Sequence, residues 1–352
     1  MTSNESESVA MIRDSVGAIA PRGGDLKRIR ALRFETPGID RGIWREMAAL
    51  GWLALRLPED RDGLGMGMRE LCVIAEELGA GLVPEPVIAA AAIVPLLPQH
   101  LRAAVLAGEM LVLPAWQEQP GAFAPGLATR FVDGLLHGAK ILVPFATAAD
   151  AFLVTTDRGL ALVRRDAPGV TIVPQQSQDG GQFGNVTFAG AVAESVPGAL
   201  DDILEDIMLA HSAYLLGASE RAFAMALEYL GIRKLFGKFI GSFQVLQHRA
   251  AELKVQLALS RAILNEAMAV ADSAAPAATR HKVGSRAKAR IADTAILVAR
   301  ETIQMHGAVG ITDEYDIGLY CRKIVSLYNL YGSAAWHRAR YLRLAAMPGD
   351  AT

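Results

Sequence analysis

Apolar positions along the chain fall into three regimes. Up to about residue 112 they recur every three or four residues, the period of amphipathic helices. In "GIWREMAALGW" Ile43, Met47 and Leu50 share a face, and in "MRELCVIAEELG" Leu71, Ile74, Ala75 and Leu78 do the same. Pro58 and "DGLGMG" punctuate between the two, and Gly79 and Gly81 read as the close of the second. "HLRAAVLAG" adds a short helix ending at Gly108. From about 110 to 196 the pattern changes to short runs rich in β-branched residues, separated by Gly, Asp and Pro. "MLVLPAW", "FVDGLLHGAKILVPF", "AFLVTT", "GLALVRR", "GVTIVPQ" and "NVTFAGAVA" read as strands of a small sheet. From 199 the helical period returns. Ile203, Ile207, Ala210, Tyr214 and Gly217 mark a first helix, and Leu246, Ala250, Leu253, Leu257, Leu264 and Met268 a second. "SAAPAATR" at 273–280 reads as the loop before a third helix over 281–306, and a fourth is expected from about 314 to 345. The prediction is an α+β chain with an N-terminal helical domain (1–112), a central β domain (113–198) and a C-terminal antiparallel four-helix bundle (199–352).

Composition narrows the function classes. With 352 residues, 52% of them hydrophobic and 20% charged, the chain can bury a large core and is not a disordered segment. A net charge of −2 without a basic stripe speaks against nucleic acid as a partner. No apolar run reaches the length of a membrane span; the nearest, "VIAAAAIVPLLP", is cut by two prolines. The acidic start, with Glu5 and Glu7, lacks the plan of a secretion signal, so a cytoplasmic location is expected. Cys72 and Cys321 have no partner spacing and fit a reducing compartment as small apolar residues. The seven histidines show no metal-ligand spacing, so no metal is expected. "DGGQFGN" enters a strand, which makes it a hairpin and not a phosphate loop. "AWHRAR" reads as a solvated helix end.

The joint between the first two bundle helices is unusual. Helix connections are commonly short and polar. "RKLFGKFIGSFQVLQH" (233–248) instead carries Phe236, Phe239, Ile240 and Phe243, opens on Arg233 and closes on Gln244, Gln247 and His248. Taken alone, it is a helix corner with a solvated cation and core aromatics, or a surface shaped for something flat and partly charged.

Order and motifs together resemble the acyl-CoA dehydrogenase family along nearly the whole chain. "LGWLALRLPEDRDGLGMGMRELCVIAEELG" is similar to that family's N-terminal stretch, with a proline and a glycine-rich turn before an acidic helix. "RKLFGKFIGSFQVLQHRAAEL" resembles its Arg-x-x-Phe-Gly-(Lys/Arg)-x-Ile-x-x-Phe-Gln segment, and "QMHGAVGITDEYDIGLYCRK" its Gln-x-x-Gly-Gly-x-Gly stretch. The resemblance implies FAD as cofactor, an acyl-CoA thioester as substrate and an electron-accepting flavoprotein as redox partner. It assigns Arg233 to the pyrophosphate, Phe236 and Gln244 to the adenosine half, and Gln304 and Gly307 to the pyrophosphate from another chain. The residue types suit this: a guanidinium grips phosphate oxygens in pairs, and glycine lets backbone approach an anion. Ala308 stands where the family's second glycine usually sits, and Phe239 where a proline is frequent.

The family's general base is a glutamate, and here the resemblance breaks. One of its two positions aligns with Tyr331, in "LYGSAAWHR", and the other with Ile207. A neutral phenol, with a pKa near 10, cannot remove an α-proton at neutral pH. Glu205 and Asp206 lie one and two residues from Ile207, yet "DDILED" is equally an acidic first turn favoured by the helix dipole. The flavin-ring stretches are eroded too. "WQEQPGAF" and "ILVPFATAAD" keep Glu118, Pro120 and Gly121 but lack the family's hydroxyl residues and tryptophan. Loss of one half-site beside retention of the other resembles the shorter subunit of the family's α2β2 heterotetramers, known among degraders of steroid and other bulky acyl-CoAs. The implied partner is a longer homologous subunit. Two alternatives stay open: a self-sufficient dehydrogenase with a displaced carboxylate base, and a scaffold that binds no flavin.

Overall fold

The computed structural model describes residues 7–346 apart from 22 and 122; Glu5, on which the expectation of no secretion signal partly rests, lies outside the described residues. Helices α1 (Glu7–Ile19), α2 (Lys27–Leu32), α3 (Arg41–Ala49), α4 (Met68–Ala80), α5 (Val87–Ile93) and α6 (Gln99–Leu106) come first. Seven strands follow: β1 (Val112–Ala115), β2 (Arg130–Val132), β3 (Leu135–Pro144), β4 (Ala151–Thr156), β5 (Gly159–Arg164), β6 (Val170–Gln176) and β7 (Gln182–Val196). The chain then runs through α7 (Asp201–Ile232), the strand pair β8 (Lys234–Leu235) and β9 (Lys238–Phe239), α8 (Gln244–Ala271), α9 (Ala277–His306), α10 (Ile317–Leu327) and α11 (Ala334–Ala345). The predicted order of helices, sheet and bundle is the observed one. Two compact units result. One draws on residues up to Leu26, on Cys72–Val83 and on the chain from Met208 onward; the other on Lys27–Leu71 and Pro84–Ile207.

In the second unit the sheet runs β1-β4-β5-β7-β3-β2, with β6 also on β7. Only β1 and β4 are parallel. The long β7 makes this possible: its first part pairs with β3 and β6, and its end with β5. Alternation along it sends Gly184, Val186 and Phe188 inward, as period 2 requires. "DGGQFGN" forms the β6–β7 hairpin, with Ser177 N–H donating to Gly181 O at 3.0 Å. α3 starts on Asp40, whose carboxylate accepts from Gly42 N–H at 2.7 Å, and Arg41 on its first turn pairs with Asp150 at 3.0 Å.

In the first unit α8, α10 and α11 pack around α9. α4 and α7 touch backbone to backbone. A methyl on Gly79 would stand 2.0 Å from Tyr214 O, and one on Gly217 2.0 Å from Glu76 O. α4 ends at Ala80, between Gly79 and Gly81 as the sequence suggests, and Gly79 sits in its last turn at a point where no side chain fits. Arg261 of α8 pairs with the buried Glu76 and, at 2.8 Å, with Glu220. The fourth bundle helix is not continuous either. It breaks between α10 and α11, where Tyr331 (φ 61°) and Gly332 (φ 98°) are left-handed and Ser333 Oγ accepts from Trp336 N–H to restart the helix. Among the described residues no helix is long and apolar enough to cross a membrane.

Candidate functional site

The joint after α7 is a miniature hairpin. Arg233 N–H donates to Tyr229 O (3.0 Å), ending the helix, and Ile240 N–H donates to Arg233 O (2.8 Å), closing the loop. Between them β8 and β9 pair through a two-residue turn, with Phe236 (φ 52°) and Gly237 (φ 79°) both left-handed, the signature of a type I′ turn. Glycine takes that conformation freely, whereas an L side chain costs about 1–2 kcal/mol. The cost falls on Phe236, which nevertheless stands 85% exposed. Lys234 Nζ lies 4.8 Å from the Phe239 ring centre and Lys238 Nζ 4.4 Å from that of Phe243, while Ile240 anchors the loop in the core. Arg233 is exposed, and no carboxylate among the described residues pairs with it. α8 begins directly after the loop at Gln244; Phe243 offers no side-chain cap and its carbonyl takes the N–H groups of Leu246 (3.0 Å) and Gln247 (3.2 Å), which leaves those of Gln244 and Val245 as the uncapped donors.

The second element is the end of α9. Gly307 caps it at φ 64°, ψ −143°, a region essentially reserved for glycine, with its N–H on the carbonyls of Gln304 and Ile303. Gln304, Gly307 and Ala308 are exposed. Arg249, early in α8, pairs with Glu301 at 3.2 Å, and Tyr229, late in α7, stacks on His306. The fold thus carries Arg233, Phe236, Gln244, Gln304 and Gly307 to one end of the bundle, with their side chains or backbone open to a ligand.

The two positions where a base was sought look different. Ile207 is fully buried, and Tyr331 is buried with burial pushing its phenol well above the ordinary range. The His211 ring stands 5.2 Å from that of Tyr331, and His337 Nε2–H donates to Tyr331 O at 2.7 Å. Lys288, fully buried, donates from Nζ to Tyr328 O at 3.0 Å, and desolvation lowers its pKa to about 7. His337, read from sequence as part of a solvated helix end, is instead a buried brace of this turn. Asp206 accepts from Arg56 Nη2 at 2.7 Å, and Glu205 precedes it on the first turns of α7.

In the sheet unit, Glu118 organises the eroded "WQEQPGAF" stretch. Its Oε1 accepts from Lys140 Nζ (2.6 Å), Thr129 N–H (2.9 Å) and Thr129 Oγ1 (2.8 Å), and Oε2 from Ala128 N–H (2.8 Å). Lys140 is fully buried on β3 and also donates to Gly126 O (2.7 Å) and Thr155 Oγ1 (2.8 Å). Burial alone would raise the Glu118 pKa, but the Lys140 ammonium and the Ala128 and Thr129 donors outweigh it and hold the carboxyl at about 2. The 117–129 segment is thereby pinned to the sheet, although it has lost the hydroxyls at its start. The sequence does not single out Lys140, which lies within β3 just before the register shift between Lys140 and Val143.

Comparison with known proteins agrees with this architecture. Family models of the acyl-CoA dehydrogenase N-terminal domain and C-terminal domain match residues 6–99 and 204–344. The protein named acyl-CoA dehydrogenase IpdE2 of Mycolicibacterium smegmatis is 28% identical over 335 residues, 93% of this chain and 95% of its own. A solved structure titled Tcur3481-Tcur3483 steroid ACAD G363A variant superposes with a TM-score of 0.87 at 28% identity, covering 97% of this chain and 98% of its own. The ChsE4-ChsE5 complex from Mycobacterium tuberculosis shares the fold, with a TM-score of 0.86 at 24% identity over 99% and 100% of the two chains.

Proposed function

Since the chain belongs to the acyl-CoA dehydrogenase family, we propose that it serves the α,β-dehydrogenation of an acyl-CoA thioester as the subunit that holds the nucleotide half of FAD, while a longer homologous chain supplies the ring side and the base. The chemistry that bound FAD would supply is that of a two-electron oxidant for the substrate's β-carbon, with an acceptor flavoprotein as the onward redox partner. The carrying observation is an asymmetry. Five residues suited to a flavin nucleotide are exposed together at one end of the bundle, whereas both base positions are filled by buried groups that carry no carboxylate.

The residues fit the nucleotide. Arg233 offers a bidentate grip on pyrophosphate, and the open first turn of α8 adds N–H groups and the positive end of the helix dipole. Phe236, held out by its turn, offers a flat apolar face to the adenosine half, with Gln244 as a hydrogen-bonding neighbour. Gln304 and the bare Gly307 backbone approach an anion without a side chain in the way. Removal of the substrate α-proton requires a carboxylate at the thioester. In this chain Tyr331 is held neutral by burial and Asp206 is held by Arg56, which supports a group of the partner as the base. Relatives whose titles pair two chains, one of them called a steroid ACAD, support a heteromer and a bulky acyl group.

The test is expression of the chain alone and together with its longer homologue, with flavin content and acyl-CoA oxidation by an artificial acceptor as readouts. Flavin and turnover are expected with the pair. Turnover by the lone chain would favour a self-sufficient enzyme, and a flavin-free, stable pair would favour a scaffold.

A further inference from the structure

At the end of the bundle, three rings connect the two parts of the nucleotide site. His306 is the last residue of α9, immediately before Gly307, and only 3% of it is exposed. Its ring stacks on Tyr229 of α7 with centres 4.6 Å apart and planes at 24°. Tyr315, in the turn before α10, closes over it at 5.1 Å and meets Tyr229 edge-on at 6.0 Å. The imidazole orientation is fixed. Nδ1 lies 2.7 Å from Thr302 O, and a carbonyl only accepts, so Nδ1 carries the hydrogen and Nε2 is left as a buried lone pair without a partner among the described residues. Backbone connects the stack to both contact sets. Tyr229 O receives Arg233 N–H, so the ring belongs to the residue that sets the start of the hairpin. On the other side the 307–311 turn packs against the base of the His306 side chain: a methyl on Gly310 would lie 2.9 Å from His306 Cβ.

We infer that the Tyr229–His306–Tyr315 stack is a positioning clamp for the cofactor, holding the Arg233 hairpin and the Gly307 turn in register so that both meet one flavin nucleotide geometry. The inference rests on the proposed nucleotide half-site. A buried acceptor without a donor costs stability, so packing alone gives no reason for an imidazole here. Stacking geometry between two fixed elements does give one, because rings locked face to face hold their backbones at a set spacing.

The experiment compares His306→Leu, His306→Phe, Tyr315→Leu and Arg233→Ala in the assembled protein, purified with its partner chain, by FAD fluorescence titration and thermal melting. Leu fills the volume but cannot stack; Phe stacks but has no Nε2. His306→Leu and Tyr315→Leu are each expected to weaken FAD by about five- to tenfold, the worth of one to two ring contacts. His306→Phe is expected to stay within threefold of the parent and to melt no lower, since it removes the orphaned acceptor. Tyr315 is only half-buried, so its variant carries the test if His306→Leu fails to fold. Equal weakening by His306→Phe and His306→Leu would make Nε2, not the stack, the working group and overturn the clamp. Unchanged FAD affinity in both Leu variants, with Arg233→Ala weakened, would overturn the clamp and leave the half-site standing. Unchanged affinity in Arg233→Ala would overturn the half-site itself.

Discussion

Lys140→Met breaks the ion pair between the fully buried Lys140 and the mostly buried Glu118, and its cost follows from the structure by two routes. Met matches the lysine stem in length but leaves the Glu118 carboxylate, the Gly126 carbonyl and the Thr155 hydroxyl without the ammonium they share. Removing one partner of a buried pair costs about 3–5 kcal/mol. The Glu118 pKa falls on folding from 4.5 to about 2, which at about 1.4 kcal/mol per unit is about 3 kcal/mol of stability; the Lys140 ammonium shares this with the Ala128 and Thr129 donors, so it is an upper bound on the Lys140 contribution. A carboxyl whose folded pKa is depressed contributes fully above the unfolded value. That contribution is lost as pH falls from about 4.5 toward 2. The variant should therefore unfold earlier in urea by about 3 kcal/mol at pH 7, and the difference from the parent should shrink on acidification through that window. Glu118→Gln in the Lys140→Met background should recover part of the loss, because it removes the stranded charge. A change below 1 kcal/mol, or a difference independent of pH between 5 and 3, would refute the assignment of this pair as the anchor of the 117–129 segment.

Three other variants address separate parts of the account. Arg233→Ala should weaken FAD by about 1.5–3 kcal/mol, the worth of a charge-assisted contact, in a flavin titration of the assembled enzyme. Tyr331→Phe should leave turnover within a few-fold; a thousandfold loss with substrate still bound would place the phenol in the chemistry. Lys288→Met should melt higher than the parent at pH 7. The buried lysine titrates near 7 in the folded state against 10.5 for an ordinary lysine, so the unfolded chain holds more protons between those values. Parent stability should rise with pH across 7–10.5, and Lys288→Met should lack that slope; parallel pH profiles would contradict it.

The periodicity of the chain located α7, α8, α9 and the sheet because those elements bury one face continuously. It failed where backbone geometry, not burial, decides. Phe236-Gly237 carries only the glycine half of a type I′ turn signal, so the hairpin within the α7–α8 joint was invisible. Gly79 and Gly81 mark the end of α4 correctly, but the close approach of α7, which also requires glycine at 79, leaves no trace in the period. The break before α11 centres on a left-handed Tyr331, a conformation no propensity favours. Lys140, Lys288 and His337 were passed over because charged residues are rarely buried. Lys288 nonetheless falls on the apolar face of α9, four residues after Gly284 and three before Ile291, and that register was legible. Arg233, Phe236, Gln244, Gln304 and Gly307, proposed for the nucleotide, stand out from the order of motifs, and only the fold shows that they share one end of the bundle.

The division of labour between two chains is tested most directly by FAD stoichiometry and acyl-CoA oxidation, measured for the chain purified alone and for the chain co-purified with its longer homologue. General-base catalysis contributes about 10²–10⁴-fold, so a chain with Tyr331 and Ile207 at the base positions should show at most a trace of turnover and little flavin by itself. The pair should form a tetramer with bound FAD and oxidise substrate. A lone chain carrying one FAD per subunit and turning over at roughly 1–10³ s⁻¹, the ordinary enzyme range, would contradict the half-site account and make Glu205 and Asp206 the first residues to replace.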